Sequence, residues 1–552
     1  MTTPRARLEN LFAAILFAAG FAWLFRRWLF TGFDGIFGDD SDGEIFLALV
    51  EHWHRVFAGA AHWPDPNFFF PERGALGFTD AVFLYGVVAA GLRALGFDVF
   101  ASFMIVMASL ASLGFFGFIR LTRRHFGLAM PWAAVGAYLF AFANMDASKL
   151  IHAQSYCAML LPILCDLALT AWKDDRKRLR SAALAAAAGL LHGLIFFTAF
   201  QTAWFFALFL VLFAMLHPLV FGLARSLALL REAARKWQIV GAYAAGFAIG
   251  IAPFLVLYVP VLLAGRQRDL VEIFSNSPDA RDILNVTPGN WVWGEALRHL
   301  AITGRPNRPW WEVELGYTPA MFALLLATTF AVAASLRRGS APAAERDRWV
   351  VVLAIGVLVS WLVQLEYFGF RPWTIVWALV PGAKGIRYTF RSQLVANLFA
   401  SLVVARGLMG LYAFAQTRRS ALAAVAALTL LVLVEQVNVE WPPTISRRET
   451  SAWIEAPPPP PPGCRVFYLV PHVEPRDRPG WVHQSQAMLF AAVRGIPTIN
   501  GYSSWFPDGW DLEETDKPEY AAAVRAWAAK KGLGNELCGL DPTHATWTQG
   551  LP

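Results

Sequence analysis

The sequence predicts an α-helical polytopic membrane protein of about eleven transmembrane helices with a small α/β unit at its C-terminal end. Three observations carry this prediction. Of the 552 residues, 57% are hydrophobic and only 16% are charged, with a mean hydropathy of +0.44, whereas soluble domains run at about 45–50% apolar and about 25% charged. Apolar runs of about 18 residues or more, enough to cross roughly 30 Å of hydrocarbon, recur up to about residue 440. Beyond that point the texture changes to short alternating and amphipathic segments introduced by consecutive prolines, Pro457 to Pro462.

The first run, about residues 10–29, follows Arg5 and Arg7 and has no small-residue cleavage pattern after it. It reads as a retained helix with a cytoplasmic N-terminus. Further spans read at about 99–119, 128–143, 153–172, 183–199, 201–222, 238–264, 318–336, 349–365, 392–413 and 421–438. Charge decides the ambiguous runs. A crossing at residues 79–95 would put Arg120, Arg123 and Arg124 outside, so that segment is laid along the outer interface as a short helix. Residues 181–222 exceed one span and are split near Gln201, which keeps Arg225, Arg231, Arg235 and Lys236 inside. Arg26 and Arg27 run against the positive-inside rule and are expected to snorkel to headgroups.

The net charge of +7 is the kind of basic excess that lies in cytoplasmic loops, so nucleic acid is discarded as a partner. Four cysteines are too few for a disulfide framework or zinc cluster. Cys464 and Cys538 share the outside tail and are expected to pair; Cys157 and Cys165, within one span, stand about 12 Å apart and cannot.

Hydrophilic mass is concentrated outside, in loops at about 31–98 and 265–317, a segment at about 366–391, and the tail from 441. The expected organisation is a membrane module over 1–440, a Pro-rich linker over 441–463 whose prolines make a stiff spacer of roughly 19 Å, and a periplasmic α/β unit over 464–552. In that unit CRVFYLV reads as a strand, SQAMLFAAV as a helix, IPTIN as a strand and PEYAAAVRAWAAKKG as a helix.

Chemistry is expected in the first outside loop. GDDSDGE sets Asp39, Asp40, Asp42 and Glu44 close together. Carboxylates so close repel, which raises some of their pKa values unless a cation or a substrate proton is shared among them. Such a cluster suits a general base, or a divalent cation such as magnesium or manganese on Asp39 and Asp42. Phe46, Leu49, Val50, Trp53 and Phe57 then repeat at helical spacing, an amphipathic helix on the outer surface with Glu51 and Arg55 as an i, i+4 ion pair.

These pieces resemble the GT-C integral-membrane glycosyltransferases, whose module is one helix, a long outside loop with an acidic motif and two juxtamembrane helices, then more spans. More narrowly, GDDSDGEIFLALVEHWHRVFAG, NFFFPERGALGFTDAVFLYG, FANMDASKLIHAQ, PGAKGIRYTFRSQ and HQSQAMLFAAVRGIPTINGYSSWFP are similar, in order, to a family of bacterial multi-pass proteins grouped with them. The resemblance implies an inner-membrane enzyme that moves a sugar from a polyprenyl-phosphate donor to a lipid, glycan or protein acceptor on the outer side. Asp39 and Asp42 match the family's GD-x-x-D pattern. Asp40 departs from it, where a small or apolar residue is expected, and leaves open which two acids form the working pair. Asp80 matches an acid at the end of the same loop, and Asp146 and His152 fall at the outer ends of the third and fourth spans, where the superfamily often has a second acidic site.

The chemistry that the resemblance implies fits the residues. An inverting transfer needs a base for the acceptor hydroxyl, while the departing phosphate requires only positive charge. Arg387 and Arg391, four apart before an outer apolar span, are candidates to grip that phosphate from one helical face, with Lys384 as a third cation. In the tail, Asn500 and Tyr502 of NGYSSWFP are candidates to face the acceptor. Other readings are a transporter or flippase of a lipid-linked substrate and a non-catalytic envelope-assembly protein. Transporters place ionisable groups near the midplane and often show repeated halves. Here no repeat is seen, and Asp166 is the main charge within the spans.

Overall fold

The computed structural model describes residues 4–174, 178–304, 313–338, 344–440, 442–470 and 480–552. Each expected span falls on a helix: Pro4–Leu24, Val99–Leu121, Met130–Ala141, Leu161–Lys173 with the 3₁₀ turn Ala153–Leu160 before it, Arg178–Thr198, Phe200–Phe221, Trp237–Leu263, Pro319–Arg337, Ala344–Leu362, Ser392–Ala415 and Arg419–Val434. Among the described residues, eight of these helical stretches are long and apolar enough to cross a membrane. Met130–Ala141, at 12 residues, and Arg419–Val434, at 16, are shorter than a full crossing needs.

The long apolar run breaks at Ala199, whose backbone leaves the helical region (φ −150°, ψ 88°). The Phe200 amide donates to Asp80 Oδ1 at 3.1 Å, and the Thr198 carbonyl accepts the Val82 amide at 3.1 Å. The loop before the interfacial helix therefore satisfies the polar groups that the break exposes. That helix, Phe83–Ala94, is 12 residues, about 18 Å at 1.5 Å per residue, too short to cross.

Polar contacts join the helix ends in two groups. At one end Arg120 Nε meets Asp166 Oδ2 at 2.7 Å, Lys236 donates to the Trp172 carbonyl at 2.7 Å, and Arg348 to that of Val220 at 2.8 Å. At the other, Trp204 donates to the Pro381 carbonyl at 2.8 Å and Asn397 to that of Leu139 at 3.1 Å. Asp166, the charge that stood out within the spans, also lies 3.0 Å from His125 Nε2, so it is consumed by an ion-pair cluster at the helix ends.

Several expectations change. The first helix stops at Leu24, and Arg26 is buried instead of snorkelling: it donates to the carbonyls of Asn438 (3.1 Å) and Glu440 (2.6 Å), capping the chain after the last span. The helix Asp42–Phe57 does not lie open on a surface. Residues Gly43 to Trp53 are buried, between Phe83–Ala94 on one side and the tail helix Gly480–Arg494 on the other. Glu51 therefore pairs not with Arg55 but with Arg93 of the neighbouring helix, in a forked contact of 2.8 and 3.1 Å.

The tail is stitched to the first outside loop. β1 (Gly35–Phe37) pairs antiparallel with β2 (Thr444–Ser446), in the register Ile36 to Ile445. Helix Arg447–Glu455 follows, and Pro457 and Pro458 accept hydrogen bonds from Arg494 and Trp547 at 3.2 and 2.8 Å. The start of the proline run is thus tied to the tail unit, while Pro459 and Pro462 are exposed. Beyond them β3 (Val466–Leu469) pairs parallel with β4 (Leu537–Asp541), which pairs antiparallel with β5 (Thr546–Gln549). IPTIN makes a single bridge, Phe467 to Thr498, because Thr498 and Asn500 also exchange backbone bonds with Asn67, Phe69 and Phe70 of the first loop. Cys464 and Cys538 form a disulfide, and Cys157 and Cys165 are free.

Helices Arg178–Thr198 and Trp237–Leu263 approach closely through Gly189, Gly193, Gly246 and Gly250. A Cβ on Gly246 would stand 2.0 Å from the Ala186 carbonyl oxygen, whereas one on Gly241 meets nothing within 4 Å. Gly246→Val is expected to lower the melting temperature of the detergent-solubilised protein, with an overpacking cost of about 1–3 kcal/mol, and Gly241→Val to leave it near the parent value. Equal melting temperatures for the two variants would contradict this packing.

Candidate functional site

The acidic segment folds as a tight knuckle between β1 and the helix Asp42–Phe57. Gly38 has a φ of +119°, and a Cβ there would lie 2.2 Å from the Gly43 Cα, so two glycines face each other and let the chain reverse. Asp39 Oδ1 accepts the amides of Ser41 (3.0 Å) and Asp42 (2.7 Å), satisfying donors at the start of the helix. One oxygen of Asp39 is thereby committed to structure. Asp42 opens the helix and is 31% exposed, and its Oδ2 lies 2.6 Å from Nδ1 of His152, which is only 12% exposed. The carboxylate is reachable while its partner is held inside. Asp40 meets the tail through its main chain, with its carbonyl 2.9 Å from the Ser485 hydroxyl, which is also 2.9 Å from Glu44 Oε2.

Burial and the neighbouring Asp42 charge raise the Asp39 pKa, against the lowering effect of the two amides and of His152. Asp80 closes the same loop. Burial pushes it up to about 6, opposed by the Phe200 amide, the Arg391 charge, a hydrogen bond with Gln154 and the charge of His152. Asp39, Asp42, Asp80, His152 and Arg391 therefore share one electrostatic neighbourhood at one end of the bundle.

Arg387 and Arg391 do not share a helical face. Helix Ser392–Ala415 begins after them, with only a 3₁₀ turn over Thr389–Arg391, because the preceding PGAKG enters as a turn with Gly382 at φ +85°. They instead lie against the Tyr388 ring, with their guanidinium carbons 5.1 and 4.6 Å from its centroid. Arg391 is buried and Arg387 exposed. Arg387 Nε meets Glu272 Oε1 at 3.0 Å, and the same oxygen holds Arg268 at 3.0 Å. Arg268 also donates to the Ser504 carbonyl at 2.8 Å and covers the Trp505 ring at 4.2 Å. The sequence reading missed Arg268, Glu272, Tyr388 and Gln154. A signal for the first was present: Arg266 and Arg268 follow an apolar span on the side that the sequence reading expects to be outside, where arginine is disfavoured.

Other candidates fall elsewhere. Lys384 lies over the Trp377 ring at 4.6 Å. Asn500 is fully buried inside the tail unit, donating to Gln484 (2.9 Å) and the Tyr520 hydroxyl (2.8 Å) and accepting the Leu469 amide (2.9 Å), so it does not face an acceptor. Tyr502 does border the site: burial and the charges of Glu513 and Asp42 raise its phenol pKa, and Arg387 opposes them. Asp146 is 5% exposed in the helix Asn144–Lys149, with Oδ2 unpaired, and burial pushes it up to about 8. At neutral pH it is largely a neutral acid, a poor base. Among the described residues no three or more His, Cys, Asp or Glu side chains stand together as a metal site. Of the two acids read as carriers of magnesium or manganese, Asp39 commits one oxygen to amides and Asp42 one to His152.

No protein-family model matches the chain, and no curated protein sequence is similar to it. Solved structures are similar in fold. The oligosaccharyltransferase of Archaeoglobus fulgidus, in complex with an inhibitory peptide and a dolichol-phosphate, aligns over 98% of this chain and 70% of its own, with 11% identity and a TM-score of 0.51. Its apo form aligns over 95% and 68%, with 12% identity and a TM-score of 0.50. The arabinofuranosyltransferase AftD from Mycobacteria aligns over 86% of this chain but only 30% of its own, with 16% identity and a TM-score of 0.48. At such identity the oligosaccharyltransferase likeness is one of fold, the polytopic GT-C glycosyltransferase fold.

The raised Asp80 pKa has a consequence for stability. The folded state holds this proton up to about pH 6, whereas an unfolded aspartate releases it near its ordinary value of 3.8. Between those values the native state binds more protons, so this group makes stability fall as pH rises through the window and hold level above it. Melting curves from pH 4 to 7 are expected to fall less steeply for Asp80→Asn than for the parent. Parallel curves would show that Asp80 titrates normally.

Proposed function

We propose that this chain is a membrane glycosyltransferase that moves a sugar from a polyprenyl-phosphate donor to an acceptor on the outer face of a bacterial inner membrane. The observation that carries this reading is the placement of a reachable, histidine-held carboxylate, Asp42, in one electrostatic neighbourhood with the arginines around Tyr388. The shared GT-C fold supports it. The N-terminus is placed in the cytoplasm, and the tail unit outside.

Asp42 takes the proton of the acceptor hydroxyl as its oxygen attacks the anomeric carbon. The bond from that carbon to the phosphate oxygen breaks, and its electron pair stays on the phosphate. The lipid phosphate leaves with inversion at the sugar, its charge met by Arg387 and Arg391 without a general acid. His152 is a positioning residue: its Nδ1 contact fixes one Asp42 oxygen and leaves the other for the acceptor. Asp39, tied to the knuckle by two amides, supports the geometry, and Asp80 with Gln154 holds the floor beside Arg391.

In a reconstituted assay that follows a new glycosidic bond, Asp42→Asn is expected to lower turnover by about 10² or more while donor lipid still copurifies. Arg391→Ala is expected to weaken donor retention, since charge-assisted bonds to phosphate contribute about 1.5–3 kcal/mol each. Parent-rate transfer by Asp42→Asn would remove it as the base, and absence of transfer by the parent from any polyprenyl-phosphate sugar would reject the reading.

The topology has its own test. Leu230, 65% exposed, lies on the helix Leu223–Arg235, and Glu295, with a side chain 63% exposed, in the outer loop. Single cysteines at these positions, with Cys157 and Cys165 replaced by Ala, should label oppositely with an impermeant thiol reagent on intact spheroplasts. Equal labelling would overturn the orientation.

A further inference from the structure

We propose that the stacked rings of Trp481 and Tyr502 form the surface on which the ring of the donor sugar lies, so that these tail residues select the sugar. The inference rests on the glycosyltransferase reading above and goes beyond it by assigning the sugar subsite. The two rings stack with centroids 5.5 Å apart and planes 26° from parallel, and both residues are half-buried.

Their place follows from contacts on either side. Trp481 precedes Ser485 by one turn on the helix Gly480–Arg494, so the two share a face, and the Ser485 hydroxyl lies 2.9 Å from the Asp40 carbonyl of the acidic knuckle. Tyr502 lies two residues before Ser504, whose carbonyl binds Arg268, and Arg268 shares Glu272 with Arg387. The pair thus belongs to two segments, one tied to the acidic knuckle and the other to Arg268. The Tyr502 phenol registers both charges, Asp42 and Arg387.

In-line displacement requires the sugar's anomeric carbon to lie between the attacking oxygen at Asp42 and the phosphate at the arginines. A sugar ring there presents at least one face of C–H groups, which an aromatic surface buries favourably. Edge contact of Tyr502 with Phe506, at 6.1 Å, and stacking of Phe506 on Trp510, at 5.0 Å, hold this aromatic ladder to the tail core. The inner helices contribute charge to the site; the tail contributes the apolar plane.

The test measures binding of short-chain polyprenyl phosphates to the full-length protein in nanodiscs by native mass spectrometry. The lipids carry glucose, mannose, galactose or arabinose, or no sugar. The parent is expected to prefer one sugar-bearing lipid over the bare phosphate. Trp481→Ala and Tyr502→Ala should weaken that lipid about tenfold and leave the bare phosphate unchanged, while Tyr502→Phe, which keeps the ring, should bind as the parent does. Arg391→Ala should weaken both lipids alike. Equal weakening of both lipids by the tail variants, or none, overturns the sugar platform and leaves the transferase reading standing. A parent that binds neither kind of lipid overturns both.

Discussion

The helix Asp42–Phe57 is buried on both flanks, and the rest of the site depends on that burial. A helix with Glu44, Glu51 and His52 among its buried residues is stable only if each polar group finds a partner. The flanking elements supply them: Arg93 forks onto Glu51, the Trp63 carbonyl meets His52 at 2.9 Å, and Ser485 of the tail reaches Glu44. Once those bonds fix the helix, its first turn is fixed too. The glycine-to-glycine contact of the knuckle then leaves Asp39 and Asp42 little freedom in where they point.

The same constraint explains why the tail is part of the site and not an appendage. Its strand β2 pairs with β1 just before the knuckle, its helix Gly480–Arg494 covers the acidic helix, and its loop around Ser503 and Ser504 reaches Phe78 and Arg268. These contacts come from the loops 31–98 and 265–317 and from the tail, so these segments fold together at one end of the bundle. Apolar packing within that layer is dense around Phe69, which meets Phe78, Phe506 and Trp510 edge-on.

Charge in this layer is distributed so that few buried groups stand alone. Glu272 pairs with Arg268 and Arg387 through one oxygen and leaves one positive charge over, while Arg391 and His152 offset Asp80 and His152 offsets Asp39. A site arranged this way holds carboxylates and guanidinium groups near one another without collapse into a single ion-pair cluster. A reaction that moves a proton at one edge and releases an anion at the other needs that separation.

The apolar runs, with the basic residues between them, determined where the helices lie, and the split of 181–222 expected near Gln201 falls at Ala199, because hydrocarbon thickness and the satisfaction of backbone groups leave few alternatives. The density of Asp39, Asp40 and Asp42 in the following loop pointed to that loop as the candidate site. Partners were beyond their reach. Glu51 chose Arg93 over the nearby Arg55, Asn500 turned into the tail core, and the arginines at 387 and 391 lost their helical face to the turn at Gly382. In each case the sequence offered a local partner at the right spacing, and packing against a distant segment outweighed it. Only the tertiary structure decided which carboxylate meets a histidine from 110 positions further along the chain, because that contact requires two separate elements to be folded first.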